Sequence, residues 1–194
     1  MQNQPILVLA SGSPRRRQLL TEAGLAFELM ESGVEELRAA QEPAREYALR
    51  MARAKASAVS SRAATAVVLG ADTVVECGGE ILEKPSDPND ARRMLKRLSG
   101  RRHTVVTAFA IARDGRVIEA DAVESAVFFR ALSDEEISRY IATGEPFDKA
   151  GAYGIQGIGG GFIARVDGPR DNVMGLPVRN VLDALRRHGI HTRG

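Results

Sequence analysis

Three observations predict an α/β fold. Strand and helix signals alternate along the chain, with no internal repeat, low-complexity tract or Ser/Gly linker. Ala66 to Val75, AVVLGADTVV, is nearly continuous apolar sequence, as a strand covered on both faces requires. At 194 residues, 44% hydrophobic and 27% charged, the chain is an ordinary globular sequence long enough to bury a substantial core. A single domain, 1–194, is expected, with room for two lobes.

The elements follow in order. Ile6 to Leu9 is a short buried strand, and Ser11-Gly12-Ser13-Pro14 a tight turn in which Ser13 N-caps a helix and Pro14 takes its first position. Arg15, Arg16 and Arg17 then crowd the positive end of that helix, an unfavourable arrangement that an anion such as phosphate over the turn would relieve. Gly24 reads as the C-cap and Leu25 to Met30 as a strand. Gly33-Val34-Glu35-Glu36 is an acidic turn, by default a solvated loop. From Pro43 to about Ser60 an apolar helical stripe runs through Tyr47, Met51 and Val59, and Lys55 falls near its centre. A lysine there either snorkels to an edge or meets an anion, and the pattern does not choose.

Asp72 and Thr73 interrupt the apolar strand. A carboxylate inside such a run needs a partner or a metal, which makes Asp72 a site candidate ahead of a helix-capping role. Gly78-Gly79 is a hairpin turn, with EILEKP returning until Pro85. A two-residue loop would set Thr73 opposite Lys84, and a bulged three-residue loop would bring Asp72 and Lys84 to one face; both registers stay open. Asp87-Pro88 starts a core-facing helix closed by Ser99-Gly100. His103 to Ala112 and Val117 to about Ala131 are strands joined at Asp114-Gly115. Ser133 to Glu136 is a capping box, so its acids are caps rather than catalysts.

Gly144 to Gly161, GEPFDKAGAYGIQGIGGG, is dense in glycine and interleaved with Lys149, Tyr153 and Gln156, a pattern that favours a ligand-facing loop over a plain surface one. It matches neither standard phosphate motif: the dinucleotide fingerprint fails at Phe162, and no P-loop G-K-S/T is present. Phe162 to Val166 is a strand, Asn172 to Pro177 a turn and Val178 to Arg187 a final helix.

Composition trims the function classes. The 27 Lys and Arg against 25 Asp and Glu leave a formal charge of +2, so no global field argues for a nucleic-acid or membrane partner, and Arg pairs such as Arg92-Arg93 are scattered. Aromatic residues are 5% of the chain, too sparse for a single-strand stacking platform. The single cysteine, Cys77, excludes an internal disulfide framework, suits a reducing cytoplasm, and at a hairpin tip reads as a bystander. MQNQPILVLAS lacks the basic and apolar regions of a signal peptide. There is no G-x-S-x-G elbow, His103 at a strand start reads as structural, and His188 and His191 lie in a polar tail.

Together the motifs resemble the Maf, or septum-formation, family of nucleoside triphosphate pyrophosphatases over almost the whole chain. The matching residues are Ser11 to Arg16, Glu35-Glu36, Lys55-Ala56, Ala71-Asp72-Thr73, Lys84-Pro85, Leu98-Ser99-Gly100, Asp148 to Gly157 and Asn172 to Pro177. Asp-Lys-Ala-Gly with Tyr-Gly-Ile-Gln-Gly is similar to the branch acting on dTTP and UTP, rather than 7-methyl-GTP. Many members carry Asp-hydrophobic-Asp-Glu where this chain reads Gly33-Val34-Glu35-Glu36, which leaves Glu36 as the matching acid.

The resemblance implies an elongated, two-lobed α/β fold with a mixed sheet like that of inosine triphosphatases and a cleft between the lobes. It implies hydrolysis of dTTP, UTP and modified pyrimidine relatives to monophosphate and pyrophosphate, with Mg²⁺ or Mn²⁺ as the divalent cation. Arg15, Arg16, Lys55 and Lys84 would clamp the triphosphate, with Ser11 and Ser13 as further donors. Asp72 would be the general base, and Glu36 with Asp72 the metal carboxylates; the swapped assignment, Glu36 as base and Asp72 as ligand, stays open. Gln156 would contact the base or orient the water, while Lys149 and Tyr153 shape the pocket. A homodimer is compatible with this reading. The alternatives are a non-catalytic nucleotide-binding regulator of cell division and, more distantly, a nucleic-acid-binding module suggested by the Arg pairs.

Overall fold

The computed structural model describes residues 5–192; the part of the signal-peptide reading that rests on residues 1–4 lies outside them. The chain runs β1 (Leu7–Leu9), α1 (Pro14–Glu22), β2 (Glu28–Leu29), α2 (Ala44–Ser60), β3 (Val67–Cys77), β4 (Glu80–Leu82), α3 (Pro88–Leu98), β5 (Arg102–Arg113), β6 (Arg116–Phe129) and α4 (Asp134–Ala142). Three short 3-10 turns, β7 (Ile163–Asp167), α5 (Arg170–Met174) and α6 (Val178–Arg187) complete it. The strands are hydrogen-bonded in the order β2-β1-β3-β5-β6-β7, with β4 paired to β3. The fold is therefore a mixed α/β sheet with helices: β1 is parallel to β2 and β3, whereas β4 and β7 are antiparallel to β3 and β6.

The chain divides into two compact units, one of Met1–Asp72, Thr107–Val123 and Gly175–Gly194, the other of Thr73–Val106 and Glu124–Met174. In the first unit, Leu7, Leu9, Leu20, Met51, Val59 and Leu69 are fully or almost fully buried, the inward positions of β1, α1, α2 and β3. Helix α1 ends as its sequence requires. Gly24 has φ +75°, its N–H donates to the Thr21 carbonyl at 3.0 Å and that of Leu25 to Leu20 at 3.1 Å, the crossed pair that glycine in the left-handed region permits. In the second unit β3, β4, α3 and α4 surround a core containing Leu82, Met94, Leu98, Phe129, Ile137 and Phe162. Asp87 caps α3 by accepting from the Asn89 and Asp90 amides, and Ser133 with Glu136 forms the capping box of α4.

Several local expectations are corrected. Ser13 occupies the N-cap position of α1 without a side-chain cap; its own amide instead donates to Ser11 Oγ at 3.2 Å. The residues from Asn172 are not a simple turn, because Arg170–Met174 winds into a short helix. The strand after Gly24 shrinks to Glu28–Leu29. Cys77 keeps its place at the hairpin tip, paired with Glu80 beside the Gly78-Gly79 turn, but at 3% exposure it packs into the second unit's core, where burial raises its thiol pKa. The hairpin itself takes the two-residue loop, since Val75 pairs with Leu82 and Cys77 with Glu80, and the ladder stops at Leu82.

Candidate active site

In the first unit a buried ionic cluster forms where α1 begins, α2 passes and the first half of β3 ends. Strand β3 carries Asp72 at 7% exposure, and α2 carries Lys55 at 7% exposure on its inward stripe. Lys55 Nζ donates to Asp72 Oδ1 at 2.7 Å and to Glu36 Oε1 at 2.5 Å. This resolves the open reading of Lys55: its ammonium meets anions instead of snorkelling. Glu36 comes from the loop before α2 and is the more solvated partner, with its side chain 45% exposed. Burial raises the pKa of Asp72, the ammonium of Lys55 and the guanidinium of Arg16 pull it back, and Glu36 adds to the rise. The net effect is upward, toward a carboxylate that accepts a proton more readily than an exposed aspartate.

This meeting depends on a residue the sequence reading did not single out, Gly70. A Cβ at position 70 would lie 2.5 Å from the Ala52 carbonyl oxygen and 2.6 Å from the Ala56 nitrogen. Both are backbone atoms of α2 and cannot move aside cheaply, so glycine is what lets the helix carrying Lys55 lie against the strand carrying Asp72. The signal was present, since glycine inside an otherwise apolar strand marks a close backbone approach.

Of the three consecutive arginines only Arg16 is buried, at 8% exposure. Its Nε donates to the Gly175 carbonyl at 2.8 Å and its Nη1 to Ser11 Oγ at 3.1 Å, so residues from the Ser11 to Arg16 and Asn172 to Pro177 motifs are bonded to each other. Burial lowers its pKa, while Asp72 and Glu36 favour its charge. Ser11 accepts in both of its bonds and keeps its O–H proton as a donor. Arg15 and Ser13 are half-buried and Arg17 is exposed. The arrangement concentrates cations around one buried carboxylate beside a helix start, a setting suited to phosphate chemistry.

A family model described as Maf-like protein matches residues 6–188. The chain belongs to the Maf family. Among curated relatives it is 48% identical to the dTTP/UTP pyrophosphatase of Geotalea uraniireducens, covering 97% of this chain and 98% of that protein. It is 51% identical to the dTTP/UTP pyrophosphatase of Escherichia coli O157:H7, over 92% and 91% of the two chains. The same shares are covered at 48% identity by the nucleoside triphosphate pyrophosphatase of Shigella flexneri. Among solved structures, the Ham1 protein of Staphylococcus aureus aligns over 94% of this chain and 98% of that one, at 16% identity and a TM-score of 0.46.

The remaining Maf motif residues lie in the second unit. Lys84 is exposed just beyond β4, and the Gly151 N–H donates to the Glu83 carbonyl at 3.1 Å, tying the Lys84-Pro85 motif to the glycine-rich one. Gln156 is exposed. Tyr153 departs from the ligand-facing expectation: it is 5% exposed, its hydroxyl lies 2.7 Å from His103 Nε2, and its ring packs edge-on against Phe129. Lys149 is also engaged, donating to the Glu145 carbonyl at 2.6 Å and to Asp148 Oδ1 at 2.5 Å. These two side chains hold the loop's interior, and the apolar size of Tyr153 explains why burial won.

For a divalent cation, the donor set is the test. Among the described residues no group of three or more His, Cys, Asp or Glu comes together as a metal site. Glu36 and Asp72 nevertheless aim at one point, since both bond the same ammonium. Two carboxylates with phosphate oxygens and water would be enough for Mg²⁺, which keeps several waters and takes one or two protein carboxylates. No helix among the described residues is long and apolar enough to cross a membrane.

Proposed function

We propose that this Maf chain hydrolyses dTTP and UTP, and modified pyrimidine nucleotides of the same shape, to the nucleoside monophosphate and pyrophosphate. The observation that carries the reading is the buried Asp72, raised in basicity and held by Lys55 beside Arg16 and Ser11, in a chain about half identical to dTTP/UTP pyrophosphatases along nearly its entire length.

The chemistry assigns work to each group. Water attacks the α-phosphorus, the bond from that phosphorus to the bridging oxygen breaks, and pyrophosphate leaves. Asp72 takes the proton of the attacking water, a role favoured by a pKa lifted toward the working pH. Lys55 orients Asp72 and offsets charge on the phosphate oxygens, and Arg15, Arg16, Ser11 and Ser13 donate to the triphosphate. Glu36 is the second carboxylate, and its solvated position suits it to share a divalent cation with Asp72; the exchange of roles between the two acids is the rival assignment. Mg²⁺ or Mn²⁺ held there would act as a Lewis acid on phosphate oxygens. The assignments of Lys84 and Gln156 to substrate rest on the family motifs they belong to.

The test is product analysis with Mg²⁺ or Mn²⁺ and a panel of dTTP, UTP, CTP, GTP and 7-methyl-GTP, with Asp72→Asn in parallel. Pyrophosphate and dTMP or UMP from the native chain, lost in the variant, is the expected result. Orthophosphate with diphosphate, or binding without turnover, would instead favour another hydrolase or a nucleotide-binding regulator.

A further inference from the structure

Gln156 sits in a segment that cannot fix its own shape. Between Gly154 and Gly161 five of eight residues are glycine, so local backbone preference leaves many conformations open. The structure supplies an external clamp. Glu145, in the 3-10 turn Glu145–Asp148 that follows α4, accepts from the Ile158 N–H through Oε2 at 3.0 Å and from the Gly159 N–H through Oε1 at 3.1 Å. Oε1 also accepts from the Tyr140 hydroxyl at 3.1 Å, which holds the carboxylate against α4. Lys149 spends its ammonium on the Glu145 carbonyl and on Asp148, leaving the Glu145 carboxylate to the two amides and the phenol.

The glycines around the clamp fit it sterically. Gly157 has φ +85°, and a Cβ there would lie 2.9 Å from Glu145 Oε2; a Cβ at Gly159 would lie 2.7 Å from the Tyr140 hydroxyl oxygen. Side chains at either position would push the carboxylate or the phenol away. Charge-assisted bonds to two successive amides are strong and directional, so the chain entering this pair, with Gln156 two residues ahead of Ile158 across Gly157, takes its place from Glu145.

We propose that Glu145 is a positioning residue which, by clamping the Ile158 and Gly159 amides, sets the place of Gln156 and with it the preference for pyrimidine over purine triphosphates. This rests on the reading of Gln156 as the group that faces the nucleotide base. Glu145 touches no reacting atom; it acts through the loop.

Glu145→Gln replaces one carboxylate oxygen by an NH₂ group, so one of the two amides faces a donor instead of an acceptor. The experiment measures kcat and KM for dTTP and GTP in Glu145→Gln, Gly157→Ala and Gln156→Ala, together with amide hydrogen exchange at Ile158 and Gly159. The expected result for Glu145→Gln is faster exchange at both amides and a fall of about tenfold in the dTTP-to-GTP ratio of kcat/KM, carried mainly by KM, the scale of one charge-assisted hydrogen bond. Gly157→Ala, which displaces the carboxylate without removing it, should reproduce that loss and keeps the test open should Glu145→Gln fail to fold. If Gln156→Ala collapses the ratio while both clamp variants retain it, the clamp is overturned and the reading of Gln156 stands. An unchanged ratio in Gln156→Ala overturns the reading of Gln156 and the clamp's role in selectivity with it.

Discussion

Acid should destabilise the second unit through one histidine. His103, near the start of β5, is 2% exposed, shares a hydrogen bond with the Tyr153 hydroxyl and lies edge-on to Phe129 at 5.0 Å. Burial lowers its pKa from 6.5 to about 4. A base whose folded pKa is depressed stays neutral in the native state while the unfolded chain takes up a proton, so between about pH 4 and 6.5 the unfolded state binds more protons and stability rises with pH. The contribution is complete above the unfolded value and gone below the folded one. The gap of about 2.5 pH units, at 1.36 kcal/mol each, amounts to about 3 kcal/mol. For a chain of this size about 2–4 °C in Tm accompanies each kcal/mol, so the loss on acidification corresponds to about 6–12 °C. The assay is thermal unfolding from pH 4 to 7.5 for the native chain and for His103→Gln, which keeps a polar partner for Tyr153 but does not titrate. Asp72 acts with the opposite sign, because its raised pKa favours the folded state in acid, but it is common to both proteins and cancels in the difference. Parallel Tm profiles for the two proteins would refute the reasoning.

Other outcomes follow from the first unit and from the caps. Gly70→Ala should cost about 1–3 kcal/mol or more, since the new methyl meets the backbone of α2, and should lower turnover by parting Lys55 from Asp72; denaturant unfolding and a dTTP assay check both. Asp72→Asn should cut kcat by about 10²–10⁴ while dTTP binding, read by calorimetry, persists. Lys55→Met strips the ammonium from two carboxylates; Glu36 relieves part of the strain by turning to water, so the cost falls at or below the low end of roughly 3–5 kcal/mol. The same change should move the acid limb of the pH–rate profile to higher pH, as Asp72 loses its main stabilising charge. Asp87→Ala removes the acceptor of the Asn89 and Asp90 amides and should lower stability by about 1 kcal/mol with kcat/KM unchanged.

Much of the fold was legible because it rests on local rules. The alternation of helix and strand, the Schellman end of α1 at Gly24, the Asp87 cap, the Ser133 capping box and the two-residue turn at Asp114-Gly115 are each decided within a few residues. Where local rules competed, reading the sequence was less successful. The Ser13 cap yielded to a bond between its amide and Ser11, and Arg170–Met174 became helical where a turn was expected.

By itself, then, the sequence determined the α/β class and which stretches carry chemistry, because periodicity, caps and motif residues are properties of neighbours along the chain. Tertiary structure alone decided which of those residues meet. Lys55 could equally have snorkelled; it bridges Asp72 and Glu36 because Gly70 admits α2 to the backbone of β3. Tyr153 looked like a ligand contact and is buried against His103 and Phe129, and Arg16 is drawn to the carbonyl of Gly175, 159 residues away. Desolvation, which raises Asp72 and lowers His103, depends on what packs around a group and on no local signal.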